Sequence, residues 1–296
     1  MTVITDKKAF DKAATPILAT DAKSLGGLLD SLSAPERKWA RASGFDAAPN
    51  TFALLPDAKG DISRVLAGVR DADDPWVLAA LPLKLPRARY VLGKGAIAVA
   101  PDKAAFSWDL GGYQFARYRK GKRAPAELQL EASALVREAL DMAAAVRLVR
   151  DLVNTPAEDL GPEELSAVVR EQAELFGGKF TEWVGDELLE ANFPAIHAVG
   201  RAATRAPRLL EIRWGQRKNP RLALVGKGVC FDSGGLDIKS HDGMRLMKKD
   251  MGGAAHAIAL ARLVMQRKLP VSLHLLVPTV ENAISGNAYR PGDVVP

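Results

Sequence analysis

The sequence predicts an α/β protein in two parts, and three observations carry that prediction. Apolar runs of strand length alternate with helix-period segments through most of the chain. Its 296 residues are close to twice the usual domain length. One long amphipathic stretch, closed by Asn154-Thr155-Pro156, stands between the halves. The boundaries expected are an N-terminal α/β domain over 1–130, a connecting helix over 131–155 and a second domain over 156–296.

In chain order, residues 51–55, 76–81 and 95–100 read as strands and 22–32 as a helix. Segment 117–125 is basic and reads as a loop. From 131 to 153, Leu135, Ala139, Met142, Val146, Val149 and Val153 recur at three- and four-residue steps, the stripe of an amphipathic helix. Gly161-Pro162-Glu163-Glu164 opens the next helix, 162–176, with proline tolerated in the first turn. A strand at 179–184, a helix at 186–191 and strands at 208–214 and 222–227 follow. The pattern ends with a helix at 253–267 and a strand at 271–278. This alternation predicts a mixed, largely parallel sheet with helices on both faces.

Composition narrows the function. Hydrophobic residues at 48% and charged residues at 26% fit a globular chain able to bury a core. One cysteine excludes a disulfide framework and any cysteine-built metal cluster. No apolar run approaches the length of a membrane span, and residues 1–15 lack the apolar core of a signal peptide, so a cytoplasmic location is expected. The net charge of +6 is a mild excess. Its one cluster, Arg117, Arg119, Lys120, Lys122 and Arg123 beside Tyr113, Phe115 and Tyr118, is either a solvated loop or a nucleic-acid contact.

Chemistry is expected where a parallel sheet delivers ligands, at the carboxyl ends of strands. After the apolar run 222–225 the chain places Lys227 and Asp232, then Lys239 and Asp250, among glycines at 226, 228, 234, 235, 252 and 253. Glycine lets backbone approach a ligand. Charged groups in a buried-strand pattern are paired or bound to metal. Aspartates there suit a divalent cation, and a lysine amine can join them only by losing its proton. The four histidines are scattered, no phosphate-binding glycine motif is present, and Cys230 reads as an inert buried thiol.

Val225-Gly226-Lys227-Gly228-x-x-Phe231-Asp232-Ser233-Gly234-Gly235, Ile238-Lys239 and Gly243-Met244-x-x-Met247-Lys248-x-Asp250-Met251-Gly252-Gly253-Ala254-Ala255 resemble the leucine aminopeptidase (cytosol aminopeptidase, M17) family. Segments Arg150 to Pro156, Glu281-Asn282 with Ser285-Gly286, and Asn287 to Asp293 fit as well. The resemblance implies a macro-like N-terminal domain, peptide substrates, a homo-hexamer and two divalent metal ions, whether zinc, manganese or magnesium. It implies that Lys227 and Asp250 ligate the looser ion, that Asp232 is shared by both, and that Lys239 polarises the scissile carbonyl. Met247 would receive the apolar N-terminal side chain of the substrate. Cys230 stands where the family commonly has threonine.

The family's Asn-Thr-Asp-Ala-Glu-Gly-Arg segment, which completes the metal sites and holds a bicarbonate base, would follow Asp293. The sequence stops at Pro296 before it. Two aspartates and one lysine are also too few for two catalytic ions, since one catalytic zinc takes about three protein ligands. The expectation is a truncated leucyl aminopeptidase holding half an active site and inactive alone. The alternatives are a non-catalytic binding or assembly module, or nucleic-acid binding through 117–123.

Overall fold

A computed structural model describes residues 2–121 and 123–294. The chain divides into two compact units, 1–144 and 145–296.

The first unit is built on a six-stranded sheet. Its strands are β1 (Val3–Ile4), β2 (Thr15–Thr20), β3 (Phe52–Pro56), β4 (Ile62–Gly68), β5 (Arg89–Leu92) and β6 (Glu127–Gln129), in the order β1-β6-β5-β2-β4-β3. Every neighbouring pair is parallel except β3 with β4. Helices α1 (Leu25–Asp30), α2 (Ala34–Ala42) and α3 (Pro101–Gly111) complete the unit. Pro101 starts α3, which buries Trp108 with its Nε1 donating to the Ala126 carbonyl at 3.0 Å.

Two strand expectations fail here. Residues 76–81 form successive turns, with the Leu78 N–H donating to Ser107 Oγ at 3.2 Å instead of to a strand. Val77, Leu78 and Leu81 still enter the core, which is why periodicity misread the run. Residues 95–100 make one bond to β2, Ile97 N–H to Ala19 O at 3.0 Å, before Pro101 turns the chain into α3. The helix expected over 22–32 shortens to α1.

Helix α4 (Ala134–Asn154) spans the junction of the two units. In the first unit it buries Ala139 of the expected stripe, but Val136 and Ala143 take the places expected for Leu135 and Met142, which lie exposed. Further along, Val149 and Val153 of the expected stripe pack against the core of the second unit.

The second unit holds α5 (Pro162–Phe176), β7 (Lys179–Val184), α6 (Glu187–Glu190), α7 (Pro194–Gly200), β8 (Arg208–Trp214), β9 (Arg221–Val225), β10 (Gly228–Asp232), α8 (His241–Met244), a 3-10 turn (Met247–Met251), α9 (Gly252–Gln266) and β11 (Ser272–Asn282). Strand β11 is the hub: β8 pairs antiparallel to one edge and β7 antiparallel to β8. On the other edge β9 and β10 pair parallel, one after the other. Leu273, Leu275 and Val277 pack with residues of α5 and α9, while His274, Leu276 and Pro278 alternate to the opposite face. Among the described residues no helix is long and apolar enough to cross a membrane.

Candidate functional site

The parallel strands β9 and β10 are one path along β11 interrupted at Gly226-Lys227. The Gly226 N–H continues the ladder to Leu276 O at 3.0 Å. A Cβ at Gly226 would sit 2.6 Å from Ala254 Cα, so glycine is what lets the first turn of α9 press against the strand. The Ala254 N–H donates to Lys227 O at 2.9 Å, which fixes the Lys227 backbone. Its side chain is left largely exposed, with Nζ 2.6 Å from Asp250 Oδ2. Asp250 belongs to the 3-10 turn that leads into α9, anchored by fully buried Met251.

Asp232 closes β10 in register with Asn282 of β11. Gly234 and Gly235 follow with φ of +90° and +69°, a turn in which a Cβ on Gly234 would come within 2.3 Å of Asp237 O. The turn returns Lys239 to the strand end: its N–H donates to Ser233 O at 3.0 Å, and its Nζ lies 3.1 Å from Asp232 Oδ2. Asp232 Oδ1 accepts from the Gly234 N–H at 3.0 Å and from Asn282 Nδ2 at 2.8 Å. Burial pushes the Asp232 carboxyl upward. The hydrogen bonds from Gly234, Lys239 and Asn282, together with the Lys239 charge, outweigh it and hold the group below its ordinary value.

Four of the five residues singled out by sequence thus form two lysine–aspartate pairs at the carboxyl ends of β9 and β10. The fifth, Met247, is half-buried at the start of the 3-10 turn. Beside it the Lys248 Nζ donates to Asn154 O at 2.6 Å, and burial lowers the Lys248 pKa.

Asp250 Oδ2 bears on cation binding. It is buried and makes no hydrogen bond; its Lys227 contact is an ion pair outside hydrogen-bond geometry. A buried carboxylate oxygen with only an amine facing it fits a shared cation, with the amine deprotonated on binding. No group of three or more His, Cys, Asp or Glu converges on a metal position among the described residues. The donors present therefore make part of a set.

Sequence reasoning missed the charged clamp beside the site. Buried Arg290 binds Glu281 Oε1 at 2.8 Å, pairs with Glu158, and has Nε 3.3 Å from Asp293 Oδ2. Arg205 donates to the carbonyls of Ala157 and Glu158, both at 2.7 Å. The Arg290-Pro-Gly-Asp293 turn was a local signal for the last pair, whereas Glu158 lies 132 residues from Arg290. The histidines take other work: His197 faces Asp186 at 3.2 Å and His274 faces Glu211 at 2.6 Å. Cys230 is buried and its thiol is pushed up to about 12 by burial. In the basic segment, Lys122 lies outside the described residues. Arg123 donates to the carbonyls of Lys84 and Leu85, leaving Arg117, Arg119 and Lys120 exposed.

Fold and site together define a class of two-unit α/β proteins whose lysine–aspartate pairs gather at the strand ends of the second sheet. Residues 147–296 match the catalytic domain of the cytosol aminopeptidase family and residues 15–131 the M17 aminopeptidase N-terminal domain, so the chain belongs to the cytosol aminopeptidase (M17) family. A probable cytosol aminopeptidase of Mycobacterium sp. (strain JLS) is 37% identical over 99% of this chain and 61% of its own length. One of Clostridium perfringens (strain 13 / Type A) is 35% identical over 63% of this chain and 41% of its own. The crystal structure of the Coxiella burnetii cytosol aminopeptidase superposes with a TM-score of 0.89 at 44% identity, covering 99% of this chain and 63% of that one. The bottromycin maturation enzyme BotP, solved in complex with Mn, gives 0.75 at 28%, covering 94% and 61%. The chain therefore spans less than two thirds of the length of these relatives.

Proposed function

We propose that this chain is the larger part of a metal-dependent aminopeptidase that releases N-terminal residues, leucine by preference, from peptides in the cytoplasm as a homo-hexamer. The observation that carries the reading is the pair of lysine–aspartate contacts at the ends of β9 and β10, with Asp250 Oδ2 buried and free of hydrogen bonds. Family membership and the Mn complex of BotP support it. Lys227, Asp232 and Asp250 would hold zinc, manganese or magnesium, with further donors from the rest of the polypeptide. A divalent ion held there would supply an activated water, with its pKa lowered from that of bulk water.

The protein's own groups do the remainder. The Lys239 ammonium, held by Asp232 and by its backbone bond to Ser233, meets the scissile carbonyl oxygen and stabilises negative charge as it develops. Met247 packs against an apolar side chain at the substrate's N-terminus. The test has two arms. Mn2+ titration of this chain followed by EPR should show binding that is lost in the Lys227→Ala/Asp250→Ala double variant. The full-length polypeptide should hydrolyse leucine p-nitroanilide. Absence of both would leave the fold as a non-catalytic binding or assembly module.

A further inference from the structure

We infer that Asn282 is a positioning residue for the Asp232 carboxylate, an inference that rests on reading Asp232 as a metal-ligating group. Asn282 ends β11 and sits directly beside Asp232 in the parallel register. Its Nδ2 donates to Asp232 Oδ1 at 2.8 Å, the same oxygen that accepts from the Gly234 N–H at 3.0 Å. The Asn282 carbonyl accepts from the N–H and the hydroxyl of Ser233, at 3.1 and 2.7 Å. One residue thus grips both the Asp232 side chain and the backbone that follows it.

The consequence is a choice between two oxygens. An untethered carboxylate rotates and offers either one. With two donors on Oδ1, Oδ2 is the oxygen left facing Lys239 and any cation beside it. Asn282 is itself held from two sides. Its neighbour Glu281 is buried and paired with Arg290, and its backbone carries the Ser233 bonds. A Cβ at Gly235 would stand 3.2 Å from Asn282 Oδ1, so glycine there leaves room for the amide. Asparagine supplies a donor without a charge; leucine of similar volume would supply neither donor nor acceptor.

The test compares the chain with its Asn282→Leu and Asn282→Ala variants, two changes so that a folding failure of one leaves the other. Two quantities are read: Mn2+ affinity by EPR titration, and NMR hydrogen exchange of the Gly234 amide, which shares Oδ1 with Asn282. Loss of the amide should weaken Mn2+ binding about tenfold or more and speed Gly234 exchange by a similar factor. Folded variants with unchanged Mn2+ affinity and unchanged Gly234 protection would overturn the positioning role, even if their unfolding midpoint fell. Should the unsubstituted chain take up no Mn2+, hydrolysis by the full-length polypeptide decides the metallopeptidase reading, and Gly234 exchange alone decides for Asn282: faster supports it, unchanged refutes it.

Discussion

The two sheets of this chain finish their parallel strands in opposite ways. In the first unit, the carboxyl end of β2 closes on itself: Asp21 accepts from the Ser24 N–H at 2.8 Å and from its hydroxyl. These bonds lower the Asp21 pKa, and the charge is spent on the local turn. After β5 the chain lies back on β2 so closely that a Cβ at Gly95 would stand 2.4 Å from Ala19 O. In the second unit the glycines fold the chain back on the strand ends and leave Lys227 paired with Asp250 and Lys239 paired with Asp232. The architecture is shared, and the difference lies in where polar groups remain incompletely satisfied by their own backbone. The first sheet is finished as structure, the second as a site.

The largest effects should fall on the two anchors, and they should differ in kind. Trp108→Ala empties a buried indole from the first unit and should cost about 3–5 kcal/mol. Arg290→Ala leaves Glu281 and Asp293 buried without their cation and should cost about as much in the second. Urea unfolding followed separately by probes in each unit checks both. Only the Arg290 change should also weaken Mn2+ binding, and equal effects of the two changes on the metal would break the comparison.

Next comes Lys239→Ala. Turnover of leucine p-nitroanilide by the full-length polypeptide should fall roughly 10²–10³-fold. The unfolding free energy should move by less than about 1 kcal/mol, since a partly exposed ion pair contributes little. A large stability loss with turnover kept would make the pair structural, like the polar closure of the first sheet.

Smaller effects sharpen the contrast. Cys230 should resist iodoacetamide at pH 8 in the native protein and react once unfolded, because the buried thiol stays protonated well above that pH. Rapid native labelling would show that β10 opens. The stability that Asp232 draws from its donors is present above the ordinary carboxylate pKa of about 3.9 and is lost as pH falls through its lower folded value. The stability difference between the protein and Asp232→Asn should therefore stay flat from about pH 5 to 7 and shrink below about pH 4.

Legibility follows the same division. In the second unit, where strand and helix each had a clean period, expectation and structure coincide at α5, β7 and β8. In the first, β2 and β4 were not among the runs singled out, and the apolar run 76–81 entered the core as turns. A short apolar run states that it is buried and leaves its hydrogen-bond partner open; Ser107 supplied that partner for Leu78. The four charged residues of the site were visible because lysine and aspartate break an apolar strand among glycines. Asn282 and Arg290 lay in matching segments but carried no role, since an amide and an arginine near a strand end look like any solvated loop until their partners are known.

By itself, then, the sequence determined the α/β character, the two-part organisation and which charged residues interrupt the strand ends of the second unit, all of which are set by local period and residue type. Tertiary structure alone decided that α4 buries Val136 and Ala143 in place of Leu135 and Met142, that β9 and β10 share one edge of β11, and that Asp232 meets Asn282 fifty positions further along the chain. Each of these depends on which distant backbone lies alongside. Pairing between distant segments is fixed by the packing of the whole core, and no local pattern of residues encodes it.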